Sequence, residues 1–184
     1  DVERIERLIT DYSQMLKDEA SLSRAKMSKI DLANVVDSVV EDFNSDLLNS
    51  NKNIKINVNN SNLNGSKLNV LGVESKLEQI IANLLDNAIS FSPSNSKILV
   101  ICNIKKKNAQ LIIEDEGLGF NEKNIDKVFN RFYSNRPEKF GEHSGLGLNI
   151  VKNIIELHGG SITVTNQRGN KKGARIEVLL PIYK

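Results

Sequence analysis

Tryptophan is absent from this chain of 184 residues, and it holds only one Cys, three Pro and two His. A single cysteine cannot close an internal disulfide, so a reducing compartment suits the chain. Cys102 ends the apolar run Ile98-Leu99-Val100-Ile101-Cys102, where a small buried strand residue is expected. No apolar run approaches the roughly 20 residues that a membrane-spanning helix requires. No signal-peptide pattern opens the chain, and there is no internal repeat. A net charge of only +2 argues against strong electrostatic binding to nucleic acid. The first residue is Asp1 rather than Met, so the chain is expected to be a piece of a longer protein.

What is present reads in two parts. The length suggests one domain with an appendage, and an apolar fraction of 39% suffices for a core. Residues 1–26 contain neither Gly nor Pro. Ile5, Leu8, Tyr12, Met15 and Leu22 fall on heptad positions, with Glu19 as the interruption, which predicts a coiled-coil or helical-bundle segment. Residues 30–184 mix helices and strands. Asp31 is placed to cap a helix running to about residue 48, and a second helix is expected over 74–90. Strands are expected at 54–60, 97–104, 110–116, 161–166 and 174–181. Ile54, Ile56 and Val58 alternate with polar neighbours, as in a half-buried strand. The surrounding stretch 49–69 is rich in Asn and Lys and reads as a solvated strand with loops. Between about 119 and 145 no periodicity holds, and loops of that length are usually functional or disordered.

Three groups of residues carry chemical interest. In GVESKLEQIIANLLDNAISFS, Leu77, Ile80, Ile81, Leu84, Leu85 and Ala88 form the core stripe of a helix. Asn83, Asn87 and Ser90 make a second, polar stripe. Stacked amide oxygens on one rigid face suit Mg²⁺, which shares its coordination with water and phosphate; a plain solvent face in an Asn-rich chain is the alternative. In LIIEDEGLGF a strand delivers Asp115 just before Gly117 and Gly119. A carboxylate there can accept from an exocyclic amine, and the glycines permit close approach and positive φ, though an ordinary strand-to-turn sequence would look the same. In GEHSGLGLNIVKNIIELHGG, the backbone N–H groups of Gly145, Leu146, Gly147 and Leu148 open a helix, a setting that attracts phosphate. No GxxxxGK[ST] is present, and neither glycine pattern sits in a strand–GxGxxG–helix unit.

In order and spacing the motifs resemble those of the catalytic, ATP-binding domain of bacterial sensor histidine kinases, in the wider superfamily of gyrase, Hsp90 and MutL. NLLDNAISFS is similar to the N box, DEGLGF to the G1 box, VFNRFYSNRP to the F box (Phe129, Arg131, Phe132, Tyr133) and HSGLGLNIVKNIIELHGG to the G2 box. The resemblance covers about residues 30–184. The N box ending and the stretch FYSNRPEKFGEHSGLGL are most similar to envelope-sensing kinases of alphaproteobacteria. The fold implied is a two-layer α/β sandwich, a mixed, mainly antiparallel sheet covered by helices (the Bergerat fold), preceded by a helical bundle or coiled-coil segment. Residues 1–28 would be part of a dimerisation and phosphotransfer hairpin and residues 30–184 the catalytic domain.

The resemblance also implies roles. Asn87 would be the principal Mg²⁺ ligand with Asn83 beside it, and Asp115 would accept the adenine amino group. Phe91 would pack on adenine. Gly117 and Gly119 would hinge an ATP lid over about 120–144, Ser144 and Gly145 through Leu148 would hold phosphates, and Arg131 would meet the γ-phosphate. Two departures stand out. Ser90 occupies the place of a phosphate-binding Lys, so phosphate affinity should lean on Arg131 and the metal. Asn83 stands where the gyrase and Hsp90 branch carries a water-activating Glu, and an amide cannot act as a general base. Hydrolysis should then be slow and transfer to a histidine favoured. Of the two histidines, His143 falls in the lid stretch and His158 at a helix C-terminus, where it would cap or meet the dipole. The acceptor would lie upstream.

ATP, Mg²⁺, a homodimer partner and a cognate response regulator are therefore the partners implied, on the cytoplasmic side of an inner-membrane receptor, with no nucleic acid. A nucleotide-dependent signalling module without kinase activity (a pseudokinase or an anti-sigma-type regulator) and a gyrase-type hydrolase are the alternatives. The N-terminal heptads, the complete set of site residues and Asn83 weigh against them.

Overall fold

The computed structural model describes residues 2–24, 26–130 and 147–184. A long helix, α1 (Val2–Arg24), comes first. Strand β1 (Ser28–Asp31) leads directly into α2 (Leu32–Leu47), whose N-cap is Asp31 as the sequence predicts. Asp31 Oδ1 accepts from Ala33 N at 3.1 Å and from Leu68 N at 3.0 Å. It thus caps the helix and also ties down the chain entering β3 (Asn69–Gly72). There follow α3 (Glu74–Phe91), the hairpin β4 (Lys97–Lys105) and β5 (Asn108–Glu114), then α4 (Gly147–Leu157), β6 (Ser161–Asn166) and β7 (Ala174–Pro181). Strand β2 (Lys55–Asn59) lies between α2 and β3, and short 3₁₀ turns occupy Ser61–Leu63 and Glu122–Lys127.

Five strands form one mixed sheet in the order β2-β4-β5-β7-β6. Only β2 and β4 run parallel; the other pairs are antiparallel. The sheet matches the mixed, mainly antiparallel layer that the family resemblance implies. The α2, α3 and α4 helices contact one another in that order and cover the sheet. Strands β1 and β3 form a separate antiparallel pair that the sequence did not reveal.

The α3 stripe is the centre of the core. Leu77, Ile80, Ile81, Leu84, Leu85 and Ala88 are all buried. Each large apolar side chain among them contributes roughly 1.5–3 kcal/mol over its exposed state. They meet Ile98, Val100, Cys102, Leu111, Ile113, Ile176, Val178 and Leu180, which alternate along β4, β5 and β7. Cys102 is fully buried, as expected. Burial, helped by the charges of Asp37 and Asp31, pushes its thiol up to about 12.

The apolar side chains of α1 divide by burial. Leu8 and Tyr12 are half-buried, whereas Val2, Ile5, Ile9 and Leu16 are exposed, at 70%, 56%, 61% and 45%. Those four lie on heptad-like positions of their own. The Met15 and Leu22 side chains lie outside the described residues.

His158 fastens α4 to the start of α3. It is buried, with Nδ1 2.7 Å from the Ile154 carbonyl oxygen, while Nε2 accepts from Val73 N at 3.2 Å. A carbonyl only accepts, so the proton sits on Nδ1 and the ring is neutral. Of the two roles expected of a histidine at the helix C-terminus, capping is the one found, through the bond to the Ile154 carbonyl; the ring is neutral because burial lowers its pKa more than that bond raises it. Gly72 backs the ring, where a Cβ would approach within 2.9 Å of His158 Cδ2. Gly159 follows at φ +74, a left-handed helix ending that glycine favours.

A pH dependence follows, because the unfolded state binds the His158 proton more tightly than the folded state. Stability from this clamp is complete above pH 6.5, the ordinary value, and declines as pH falls from there toward the lower folded pKa. Thermal melts from pH 8 to pH 5 should show the wild type losing more stability below pH 6.5 than His158→Gln. Parallel curves would mean that His158 does not titrate differently on folding.

Candidate nucleotide-binding site

A small cavity at the C-terminal end of α3 is lined by Asn87, Ala88, Phe91, Asp115, Gly119, Phe120, Ala174 and Ile176. Its walls are apolar except for Asn87 and Asp115. Four of the candidate site residues meet here: Asn87 from the polar stripe of α3, Phe91, the strand-end carboxylate Asp115, and Gly119. Asn83, one turn before Asn87, is half-buried and outside this lining. Among the described residues neither Asn83 nor Asn87 makes a side-chain hydrogen bond. Two unengaged amides one turn apart on a helix fit a hard cation shared with phosphate oxygens. No cluster of three or more His, Cys, Asp or Glu suited to a metal occurs among the described residues.

Asp115 follows the last residue of β5 and is 5% exposed. Its Oδ1 accepts from Gly117 N at 2.9 Å and from Ala174 N at 3.1 Å. Among the described residues Oδ2 has no hydrogen-bond partner. Burial raises the carboxyl pKa, opposed by the two backbone bonds. The ionised form is therefore held at a cost in stability that a donor on Oδ2 would offset.

The glycines of DEGLGF are packed against protein. A Cβ on Gly117 would lie 2.6 Å from the Phe91 carbonyl oxygen, so only Gly lets this turn close onto the end of α3. Gly119 has φ +78, and a Cβ there would run into the Asn166 side chain. Positive φ, expected at these residues, is found at Gly119, which also lines the cavity, and the close approaches on the protein side are to Phe91 and Asn166.

Several supports escaped the sequence reading. Asn166, at the end of β6, holds Phe120 by two bonds, Phe120 N to Oδ1 at 2.6 Å and Nδ2 to Phe120 O at 2.9 Å. Gln167 Nε2 donates to the Asp115 carbonyl at 2.6 Å. Gly173, at φ +127, has no room for a Cβ because the Asp115 carbonyl occupies that space. A Gly ahead of a strand was the one visible signal. Asn166 and Gln167 carried none, being two more amides in an Asn-rich chain.

Of the residues implied for phosphate, Gly147 and Leu148 stand in the first described turn of α4, Gly147 exposed and Leu148 half-buried. Asn149, next in line, donates to the Phe129 carbonyl at 2.9 Å, and Lys152 Nζ lies 5.2 Å from the centre of the Phe129 ring. The start of α4 is thereby joined to the F-box phenylalanine. Arg131, His143, Ser144, Gly145 and Leu146 lie outside the described residues. Ser90, the third member of the polar stripe, is half-buried near the end of α3.

The five-stranded sheet under its helices is the fold of sensor histidine kinase catalytic domains. The family of histidine kinase-, DNA gyrase B- and HSP90-like ATPases matches residues 72–184, and the chain belongs to it, as a catalytic domain of the sensor histidine kinase kind. The chain is 36% identical to Sensor protein ChvG of Rhizobium meliloti (strain 1021), over 98% of its own length and 33% of that protein. It is likewise 36% identical to Sensor protein ChvG of Agrobacterium fabrum (strain C58), over 98% of its own length and 32% of that protein. Among solved structures, a mycobacterial sensor histidine kinase, MprB, superposes with a TM-score of 0.71 at 29% identity, covering 85% of this chain and 97% of that one. The chain spans about a third of the length of the curated relatives it matches. The family implies ATP as the ligand.

Proposed function

We propose that the domain binds ATP with Mg²⁺ in the cavity beside α3 and passes the γ-phosphoryl group to a histidine on another segment or subunit, in two-component signalling. One observation carries the proposal: Asp115 is buried at the cavity wall with Oδ1 saturated by backbone and Oδ2 unengaged among the described residues. Oδ2 is the acceptor for the adenine amino group, and Phe91 and Ile176 supply apolar walls for the ring. Asn87 and Asn83 would hold Mg²⁺, whose charge offsets that of the phosphates. Ser144 and the turn Gly145–Leu148 would present backbone N–H groups to phosphate, with Ser90 adding a hydroxyl and Arg131 facing the γ-phosphate. Asn83 cannot take a proton from water, which suppresses hydrolysis and leaves transfer as the productive outcome.

Residues 1–28 would form one helix of a dimerisation hairpin and residues 30–184 the catalytic domain. Exposed Val2, Ile5, Ile9 and Leu16 support pairing of α1 with helices of its own or a second copy. A response regulator would take the phosphoryl group onward. Among the described residues no helix is long and apolar enough to cross a membrane; the domain would serve a membrane receptor from its cytoplasmic side.

Asn87→Ala tests the metal role. It should weaken ATP binding in Mg²⁺ more than ADP binding without metal, because only the former needs the amide oxygen. Calorimetric titration of both nucleotides with and without Mg²⁺ reads the difference. Equal losses in every condition would remove Asn87 from the metal site.

A further inference from the structure

The last turn of α3 carries Asn87, Ser90 and Phe91, yet it ends without the usual devices. No basic residue stands in that turn, and its C-cap, Ser92, is extended rather than left-handed. Ser92 serves the Ala88 carbonyl twice, through N–H at 3.0 Å and Oγ at 2.7 Å. The later carbonyls have no partner within the helix.

Lys52 supplies one from a distance. It lies between α2 and β2, 37 residues before Ile89, and its Nζ donates to Ile89 O at 3.0 Å, to Ser90 O at 3.3 Å and to Ser92 O at 3.1 Å. An ammonium has three N–H donors, and a positive charge at a helix C-terminus complements the dipole. The loop that presents it is itself fastened. The Lys52 carbonyl accepts from Asn95 N at 2.9 Å, and Asn53 Nδ2 donates to Asn95 Oδ1 at 2.8 Å. Asn53 and Asn95 both take left-handed backbone, at φ 50 and φ 63, to make this junction. At the same turn, the Phe91 carbonyl oxygen lies 2.6 Å from where a Cβ on Gly117 would stand. The turn is thus held by a cation on one part and by the Asp115 loop on another.

We infer that Lys52 is a positioning residue for the nucleotide site, its ammonium setting the last turn of α3 so that Asn87 and Phe91 face Asp115 across the cavity. The inference rests on the nucleotide reading of that cavity.

Lys52→Met keeps an apolar stem and removes the charge and donors. It should raise the Kd for ADP by about tenfold or more, as loss of charge-assisted hydrogen bonds would, with an unchanged far-UV circular dichroism spectrum. It should also speed hydrogen exchange at the Ser92 amide, which closes the last turn on Ala88. Lys52→Cys should behave alike, and alkylation with 2-bromoethylamine then rebuilds an ammonium at lysine length. Cys102 does not compete, being fully buried with its thiol pushed up to about 12. Restored ADP affinity and restored Ser92 protection would support the role, since repacking alone would not answer to a returned charge. Unchanged affinity in Lys52→Met, or affinity not recovered on aminoethylation, would overturn it. If the wild-type chain itself failed to bind ADP, the nucleotide reading would fall and this role with it; Ser92 exchange would still show separately whether Lys52 holds the turn.

Discussion

Asp115→Asn should leave the domain folded while weakening ADP binding about 10- to 150-fold, the equivalent of the 1.5–3 kcal/mol of a hydrogen bond to a charged group. The argument depends on the two oxygens doing different jobs. Oδ1 takes N–H from Gly117 and Ala174, and the oxygen of an asparagine amide can keep both bonds. The amide nitrogen then occupies the place of Oδ2 and presents a donor to the adenine amino group, itself a donor. A purine with a carbonyl at that position should suffer less, so the preference for ADP over IDP should shrink or reverse. Asp115→Ala lacks this separation, because it strips the acceptor from two backbone donors and should also lower thermal stability. Calorimetry with ADP and IDP, beside a melt of each variant, distinguishes the effects. Unaltered ADP affinity in a folded Asp115→Asn would remove the carboxylate from base recognition.

Asp115 also shows how far sequence reasoning reaches. Its position at a strand end before Gly117 was legible because strands and glycine turns are local. So was the core face of α3, where six apolar residues at helical spacing are all buried. Strands β6 and β7 fall at the expected residues for the same reason. The division of labour between the two carboxylate oxygens was not legible. It depends on Ala174 N arriving from β7, 59 residues later, and on Gly173 letting that strand come close. Strands β1 and β3 are only four residues each, too short to show a period, and they are strands because they pair with each other. Lys52 gave no signal, since a lysine in a polar loop looks like any solvated charge until the fold puts a helix end beside it. The division of the α1 side chains by burial was hidden as well. Several heptad frames fit a helix so rich in Ile and Leu, and burial against the rest of the chain decides which residues remain outside.

Incubated with ATP and Mg²⁺, these 184 residues alone should retain no acid-labile, base-stable phosphate, and a histidine-bearing helical hairpin added in trans should become labelled. A phosphorylated histidine needs one ring nitrogen free to attack and room for the incoming group. His158 offers neither. Its Nδ1 proton is donated to the Ile154 carbonyl, its Nε2 lone pair takes the Val73 N–H, and the residue is 7% exposed. Attack through Nε2 would unfasten the start of α3, and attack through Nδ1 would first require breaking a 2.7 Å bond inside the core. His143 lies outside the described residues, so the assay must include His143→Ala. Water is the other acceptor. With an amide at Asn83 in place of a carboxylate, release of inorganic phosphate should be slow beside transfer to the added hairpin, because nothing at that position can remove a proton from the attacking oxygen. The expected result is thus no label on the isolated chain, label on the hairpin that depends on this domain, and loss of that label in Asn87→Ala. Label on the isolated chain that vanishes in His143→Ala would make that residue an acceptor and overturn the reading. Rapid phosphate release with no labelled hairpin would place the domain with the hydrolytic ATPases instead.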